Sequence, residues 1–174
     1  MTLVFSRATS ADVAAIVALV ESAYRGNASR AGWTTEADLL DGQRTDRAGV
    51  LGLIEGTRSR ILLAHDEGEL VGSVLLEDEG DKAYIGMFAV RPGLQSRGLG
   101  SALLGEAERV AREELHRDVA RMTVIAQRSE LIAWYERRGY AQTGEREEFP
   151  YGNERFGKPR RNDLYFVVLE KRLG

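Results

Sequence analysis

The most chemically loaded stretch of this chain is VRPGLQSRGLGS, residues 90–101, where three glycines crowd one polar turn between a predicted strand and a predicted helix. The first turn of a helix carries N–H groups with no intrahelical partner, and the helix dipole adds partial positive charge there. Glycine at 98 and 100 lets an anion approach that backbone closely, so the turn reads as a phosphate cradle, with Arg97 adding charge. A tight strand-to-helix connection without a ligand is the competing reading of the glycines alone. Two familiar phosphate loops are excluded. The turn lacks the Gly-Lys-Ser/Thr of a P-loop, and its spacing does not fit the GxGxxG of a dinucleotide fingerprint.

The surrounding elements must hold this turn in place. Residues 4–7 read as a short strand, and TSAD at 9–12 as a capping box. Val13, Ile16, Val17, Val20 and Tyr24 follow at helical spacing, which predicts a helix to about residue 25. Small and polar residues at 26–33 break it. A second helical start opens at 35–38, and 47–55 reads as a short helix carrying Val50, Leu51 and Ile54. Strands are predicted at 60–65, 70–76 and 82–90, with short turn-rich links that specify an antiparallel meander. On the last of these, Tyr84, Gly86 and Phe88 are expected on one face. Leu99, Leu103, Ala107 and Val110 form the apolar stripe of a helix ending near residue 115. A strand at 121–126, a helix at 130–138 capped by Ser129 and stopped by Gly139, and a strand at 164–170 complete the pattern. The order, two helices, a meander, then βα-βα-β, excludes a purely parallel doubly wound sheet. It predicts an α/β (α+β) fold with a mixed sheet and helices on both faces, as one domain over 1–174.

QSRGLG at 95–100 resembles the pyrophosphate-binding motif of the GNAT superfamily of acetyltransferases, Q/R-x-x-G-x-G/A. FAVRP at 88–92 resembles the strand end that leads into that motif, and LIAWYERRGY at 131–140 resembles the family's later helix. The likeness extends over nearly the whole chain, with residues 83–140 carrying most of its specificity. It implies acetyl-CoA as cosubstrate. Phe88, Ala89 and Val90 would align the pantetheine arm like an added strand, and Gln95, Ser96, Arg97, Gly98, Leu99, Gly100 and Ser101 would hold the pyrophosphate. Tyr135, by spacing alone an ordinary core tyrosine, would face the thioester sulfur as the catalytic residue. One departure stands out: Arg128 occupies a position where the family often has Asn.

The activity so implied is direct transfer of an acetyl group to a primary amine; a non-catalytic acyl-CoA-binding module is the rival reading. Amine attack on a thioester needs a neutral amine, a donor to the tetrahedral oxyanion and a hydrogen bond or proton for the departing thiolate. A backbone N–H near Phe88 would serve the oxyanion if that strand bulges. General-base candidates are Glu36, Asp38, Glu77 and the Glu147–Glu148 pair, each with a solvated surface acid as the alternative. Trp33, Glu36 and Tyr84 are the expected acceptor-side residues. The long aromatic and basic loop at 149–161 lies where a further substrate wall would be.

Composition narrows the classes. At 174 residues with 43% hydrophobic content, the core needs no metal or disulfide staple, and none is possible from cysteine, which is absent. With two histidines and no cysteine, no metal site is expected. A formal charge of −3 gives no general pull toward nucleic acid or an anionic membrane. A cytoplasmic protein is expected, acting on a small-molecule or peptide amine, with homodimerisation possible.

Overall fold

The computed structural model describes residues 2–25, 29, 35–95, 97–155 and 157–174. A seven-stranded sheet runs through it in the order β1-β3-β4-β5-β6-β9-β7. These strands are β1 (Leu3–Arg7), β3 (Ser59–Asp66), β4 (Glu69–Asp78), β5 (Ala83–Val90), β6 (Val119–Ile125), β7 (Ala141–Glu148) and β9 (Tyr165–Arg172). β2 (Leu40–Asp41) pairs separately with β8 (Lys158–Pro159). Four helices are described: α1 (Val13–Tyr24), α2 (Arg47–Glu55), α3 (Leu99–Glu113) and α4 (Ser129–Glu136).

Side-chain alternation along the central strands feeds two cores. Leu62 and Ala64 of β3 join the core under α3 and α4, built around Leu99, Leu103, Ala107, Val110 and Ile132. Ile61 and Leu63 face the other way, against Ile16, Leu19, Val20 and Val50 of α1 and α2. The expected mixed sheet with helices on both faces is therefore present.

β5 breaks the alternation. Ser73 and Leu75 of β4 are two residues apart, yet their partners Ala89 and Gly86 are three apart, so β5 carries one extra residue at a bulge. Met87 sits there at φ +45°, a left-handed value that costs a non-glycine residue about 1–2 kcal/mol. The phase slips as a result: Ile85 points into the α3–α4 core, whereas Met87 points into the α1–α2 core. Tyr84 and Phe88, expected on one face, consequently pack against opposite cores.

The only parallel pair in the described sheet, β5 and β6, holds together just at Ala83–Ala120 and Tyr84–Arg121. β6 then continues beside β9 as far as Ile125–Phe166. Beyond Tyr84 the two parallel strands diverge, and the fold opens as a wedge along 85–90.

Two local expectations need correction, and one strand was not among those expected. Residues 35–38 start no helix. They form a single turn in which Leu39 and Leu40 both donate to the Glu36 carbonyl, with Thr35 Oγ1 accepting from Ala37 N, before the chain enters β2. The N-cap of α4 is Arg128, one residue before Ser129. β7 was not anticipated at all: every residue of AQTGEREE is exposed, so it carries no apolar alternation, and main-chain pairing with β9 holds it at the sheet edge.

Candidate active site

The wedge ends where α3 begins. Gly98 caps that helix at φ +78°, a conformation that favours glycine. The first i→i−4 bond of α3 runs from Ala102 N to Gly98 O at 3.1 Å, so the amides of Leu99, Gly100 and Ser101 precede the intrahelical ladder. A Cβ built on Gly98 would meet nothing within 4 Å, whereas one on Gly100 would meet Trp134 at 3.3 Å. Gly98 is thus open toward an incoming group, and Gly100 makes room for the α4 tryptophan. Arg97 is exposed beside them. Ser96 lies outside the described residues.

Arg138, which was not singled out from the sequence, adds a cation to this end of α3. Its Nε donates to Ser101 Oγ at 2.9 Å, and its guanidinium lies 3.6 Å from the Trp134 ring centroid. Burial, and then the neighbouring Arg137 charge, depress this guanidinium below its ordinary value, so an anion beside it would relieve an existing cost. The available signal was RRG directly after the Tyr helix, which turns a basic side chain back toward α3.

The carbonyls of the β5 end already have side-chain donors. Tyr24 Oη donates to Phe88 O at 2.8 Å, and Gln95 Nε2 to Val90 O at 3.2 Å. Tyr24, on the last turn of α1, was read only as a member of an apolar stripe, yet it fixes the strand at the bulge. Burial raises its hydroxyl pKa above the ordinary value.

Two cavities meet here. The narrower, about 50 Å³, runs beside Val90, Gln95, Gly100 and Trp134 at the cradle end. The wider, about 210 Å³, opens on the other side of the bulge beside Tyr84, Gly86, Thr123, Phe149 and Asn153. Tyr24, Phe88, Arg128, Leu131 and Tyr135 line both. Tyr135 is buried, its ring edge-on to Phe88 with centroids 6.4 Å apart, and among the described residues no protein group hydrogen-bonds its hydroxyl. Burial pushes that hydroxyl's pKa well above its ordinary value, so it keeps its proton and is available as a donor.

Of the carboxylates considered as bases, only Glu36 lines the wider cavity. It is buried between two arginines, paired with Arg25 and, at 3.2 Å, with Arg128. Burial alone would raise its carboxyl; the charges of Arg128, Arg25 and Arg44 outweigh burial and hold it below the usual range. A carboxylate so pinned is a weak base and an effective structural anion. Asp38 is exposed, and Glu147 is bonded to Arg121 on the sheet edge. Arg128, the departure from the family pattern, therefore reaches across to Glu36 and takes part in both cavities. Tyr84, expected from the sequence at the acceptor site, lines the wider cavity, its hydroxyl 3.3 Å from Thr123 Oγ1. Trp33 lies outside the described residues. The 149–161 loop lines the wider cavity through Phe149, Pro150, Asn153 and Gly157, with Phe149 stacked on Phe166 at 5.8 Å and β8 tied to β2. Its Arg155 and Arg161 pair with Asp46 and Asp163.

A strand wedge opened by a bulge, with a glycine-capped helix at its mouth, is the arrangement that the resemblance to the GNAT acetyltransferases implies. The Acetyltransferase (GNAT) family matches residues 15–140, and the chain belongs to that family. Among solved structures it is similar to the ribosomal-protein-S18-alanine N-acetyltransferase from Escherichia coli, at 16% identity and TM-score 0.72, covering 99% of this chain and 95% of that one. It is similar to a SpeG spermidine N-acetyltransferase chimera from Vibrio cholerae and hSSAT, at 14% identity and TM-score 0.70, covering 99% and 96%. The PaiA N-acetyltransferase from Thermoplasma acidophilum in complex with coenzyme A matches at 16% identity and TM-score 0.68, covering 99% of each chain. Among curated proteins none matches significantly. No described helix is long and apolar enough to cross a membrane.

Proposed function

We propose that this chain is an acetyl-CoA-dependent N-acetyltransferase that moves an acetyl group directly to the primary amine of a small acceptor, with residues 1–174 acting as one catalytic domain. The observation that carries this reading is the meeting of two cavities at Phe88 and Tyr135, one leading from the α3 cradle and one from the opposite side of the bulge. A donor thioester and an acceptor amine entering from opposite sides would meet at that point. The solved relative holding coenzyme A supports the donor side. Acyl-CoA thioesters are cytoplasmic metabolites, and the cytoplasm is the compartment we propose.

The open edge of β5 along 85–90 would take the pantetheine arm as an added strand. The amides of Leu99, Gly100 and Ser101, with Arg138, would take the pyrophosphate. The acceptor nitrogen's lone pair attacks the thioester carbonyl carbon, and the carbonyl oxygen becomes an oxyanion. The Phe88 amide, re-aimed by the bulge, would donate to that oxygen. As the C–S bond breaks, the Tyr135 hydroxyl donates to sulfur, and the proton shed by nitrogen returns to solvent or follows to the thiolate. Glu36 takes no proton in this scheme.

Incubation with acetyl-CoA and a panel of primary amines is expected to release CoA thiol only when amine is present, with a product one acetyl group heavier by mass spectrometry. Protein that binds acetyl-CoA calorimetrically but releases no thiol with any amine would be a binding module instead.

A further inference from the structure

The wider cavity carries an unusual charge balance for a site that must accept an amine. Among the described residues that line it, Arg25, Arg44 and Arg128 are cationic and Glu36 is the only carboxylate, in a chain whose net charge is −3. The residues outside the described set contain no Asp or Glu, so they cannot supply a missing acid. Arg25 and Arg128 share Glu36. Arg44 is different: no described carboxylate lies within ion-pair distance of its guanidinium. The nearby Glu21 directs Oε1 to the backbone amides of Arg44 and Thr45, at 2.6 and 2.8 Å. The Arg44 guanidinium instead lies 5.1 Å from the Tyr24 ring centroid, with Arg128 at 5.7 Å from the same centroid. Tyr24 in turn holds the Phe88 carbonyl, so Arg44 stands one tyrosine away from the point where the two cavities join.

We infer, resting on the acetyl-transfer reading above, that the acceptor is a small amine bearing a carboxylate or comparable anion, of about amino-acid size, and that Arg44 anchors the anion. A guanidinium presents paired donors that match a carboxylate's two oxygens, and the pairing is stronger in a partly desolvated wall than in water. The uncharged polar groups of the lining, Tyr84, Thr123 and Asn153, can complete its hydrogen bonds. The same arginines disfavour an ammonium ion, so the charges that hold the anion also promote the neutral amine that the reaction needs. A polyamine meets the opposite situation, since each further cation is repelled by the wall.

The test is matched pairs: amino acids and their carboxamides, which share the amine and differ in the anion, together with spermidine, each assayed by thiol release with acetyl-CoA. The acids are expected to exceed their amides in kcat/KM by about tenfold or more. Arg44→Gln is expected to lower that acid-to-amide ratio about tenfold, chiefly through the KM of the acid, with the acetyl-CoA Kd retained. The ratio compares two substrates on one protein, so a loss of folded material does not move it. Amides or spermidine used as well as the acids, or an unchanged ratio in Arg44→Gln, would overturn the inference and leave acetyl transfer standing. No thiol release with any amine, from protein that binds acetyl-CoA, would overturn both.

Discussion

In the proposed reaction, Tyr135 is the residue at which donor and acceptor chemistry would converge. Its hydroxyl has no protein acceptor among the described residues, and burial keeps it protonated well above its ordinary pKa. An alkyl thiol titrates near 8.5 and an unperturbed phenol near 10, so full proton transfer to the thiolate is uphill, and burial makes it more so. In the proposed reaction Tyr135 would therefore act as a hydrogen-bond donor while charge develops on sulfur. The neutral thioester sulfur is a poor acceptor, so removing the hydroxyl costs transition-state stabilisation more than ground-state binding. Tyr135→Phe is expected to lower kcat and kcat/KM together, by about 10–10³-fold, with CoA affinity kept. Single-turnover kinetics measures this without interference from product release. A Phe variant with wild-type single-turnover rates would make Tyr135 a packing residue.

At the scale of elements, the site depends on the α3 N-terminus. Gly98→Ala places a side chain at φ +78°, costing about 1 kcal/mol of stability, and its methyl enters the open space into which a phosphate would come. The expected outcome is a small fall in Tm and a clear loss of CoA affinity by calorimetry; a lost Tm with unchanged affinity would remove Gly98 from the cradle. Arg138→Ala should weaken CoA by about tenfold and reduce the salt dependence of binding, because it removes one charge-assisted contact. What could be read from the sequence follows the same division. Helices α1 and α3 and the β3–β5 meander were legible because apolar spacing and turn residues agree over many positions. The glycine turn suggested an anion cradle from its own residues, whereas a role for Tyr135 came only from the resemblance. The bulge was not, because an extra residue changes the phase of β5 without leaving a compositional mark. β7 was not, because an edge strand bonded only through its main chain needs no apolar face. The arginine wall was hidden for a different reason: Arg25, Arg44 and Arg128 come from three separate segments, and only the fold brings them together around Tyr24.

For the whole molecule, titration sets the working range, and its acid and alkaline limits have different origins. Asp78, at the end of β4, binds Arg117 through both oxygens at 2.7 and 3.1 Å and accepts from Gly80 N, which together hold its carboxyl at about 2. Glu36 is also held below the usual range. A carboxyl whose folded pKa is depressed contributes stability that is present above its unfolded value, about 4, and is lost as pH falls through the folded one. Thermal unfolding should therefore show Tm falling between about pH 4 and 2, with Asp78→Asn flattening part of that decline.

Catalysis is expected to be limited from a different side. Burial raises the hydroxyls of Tyr24 and Tyr135, so neither ionises below about pH 10, and no alkaline loss of activity should arise from them in that range. The profile then has one rising limb, set by deprotonation of the acceptor amine. In kcat/KM that limb reports the free amine, whereas in kcat it reports the amine bound beside Arg25, Arg44 and Arg128. Cations nearby favour the neutral form, so the kcat inflection should lie about one pH unit or more below that of kcat/KM. Arg44→Gln should narrow the gap, since it removes one of the three charges. Steady-state rates for an aminocarboxylate from about pH 6 to 10 decide the matter: a kcat inflection at or above that of kcat/KM would mean that the arginine wall does nothing to the nucleophile.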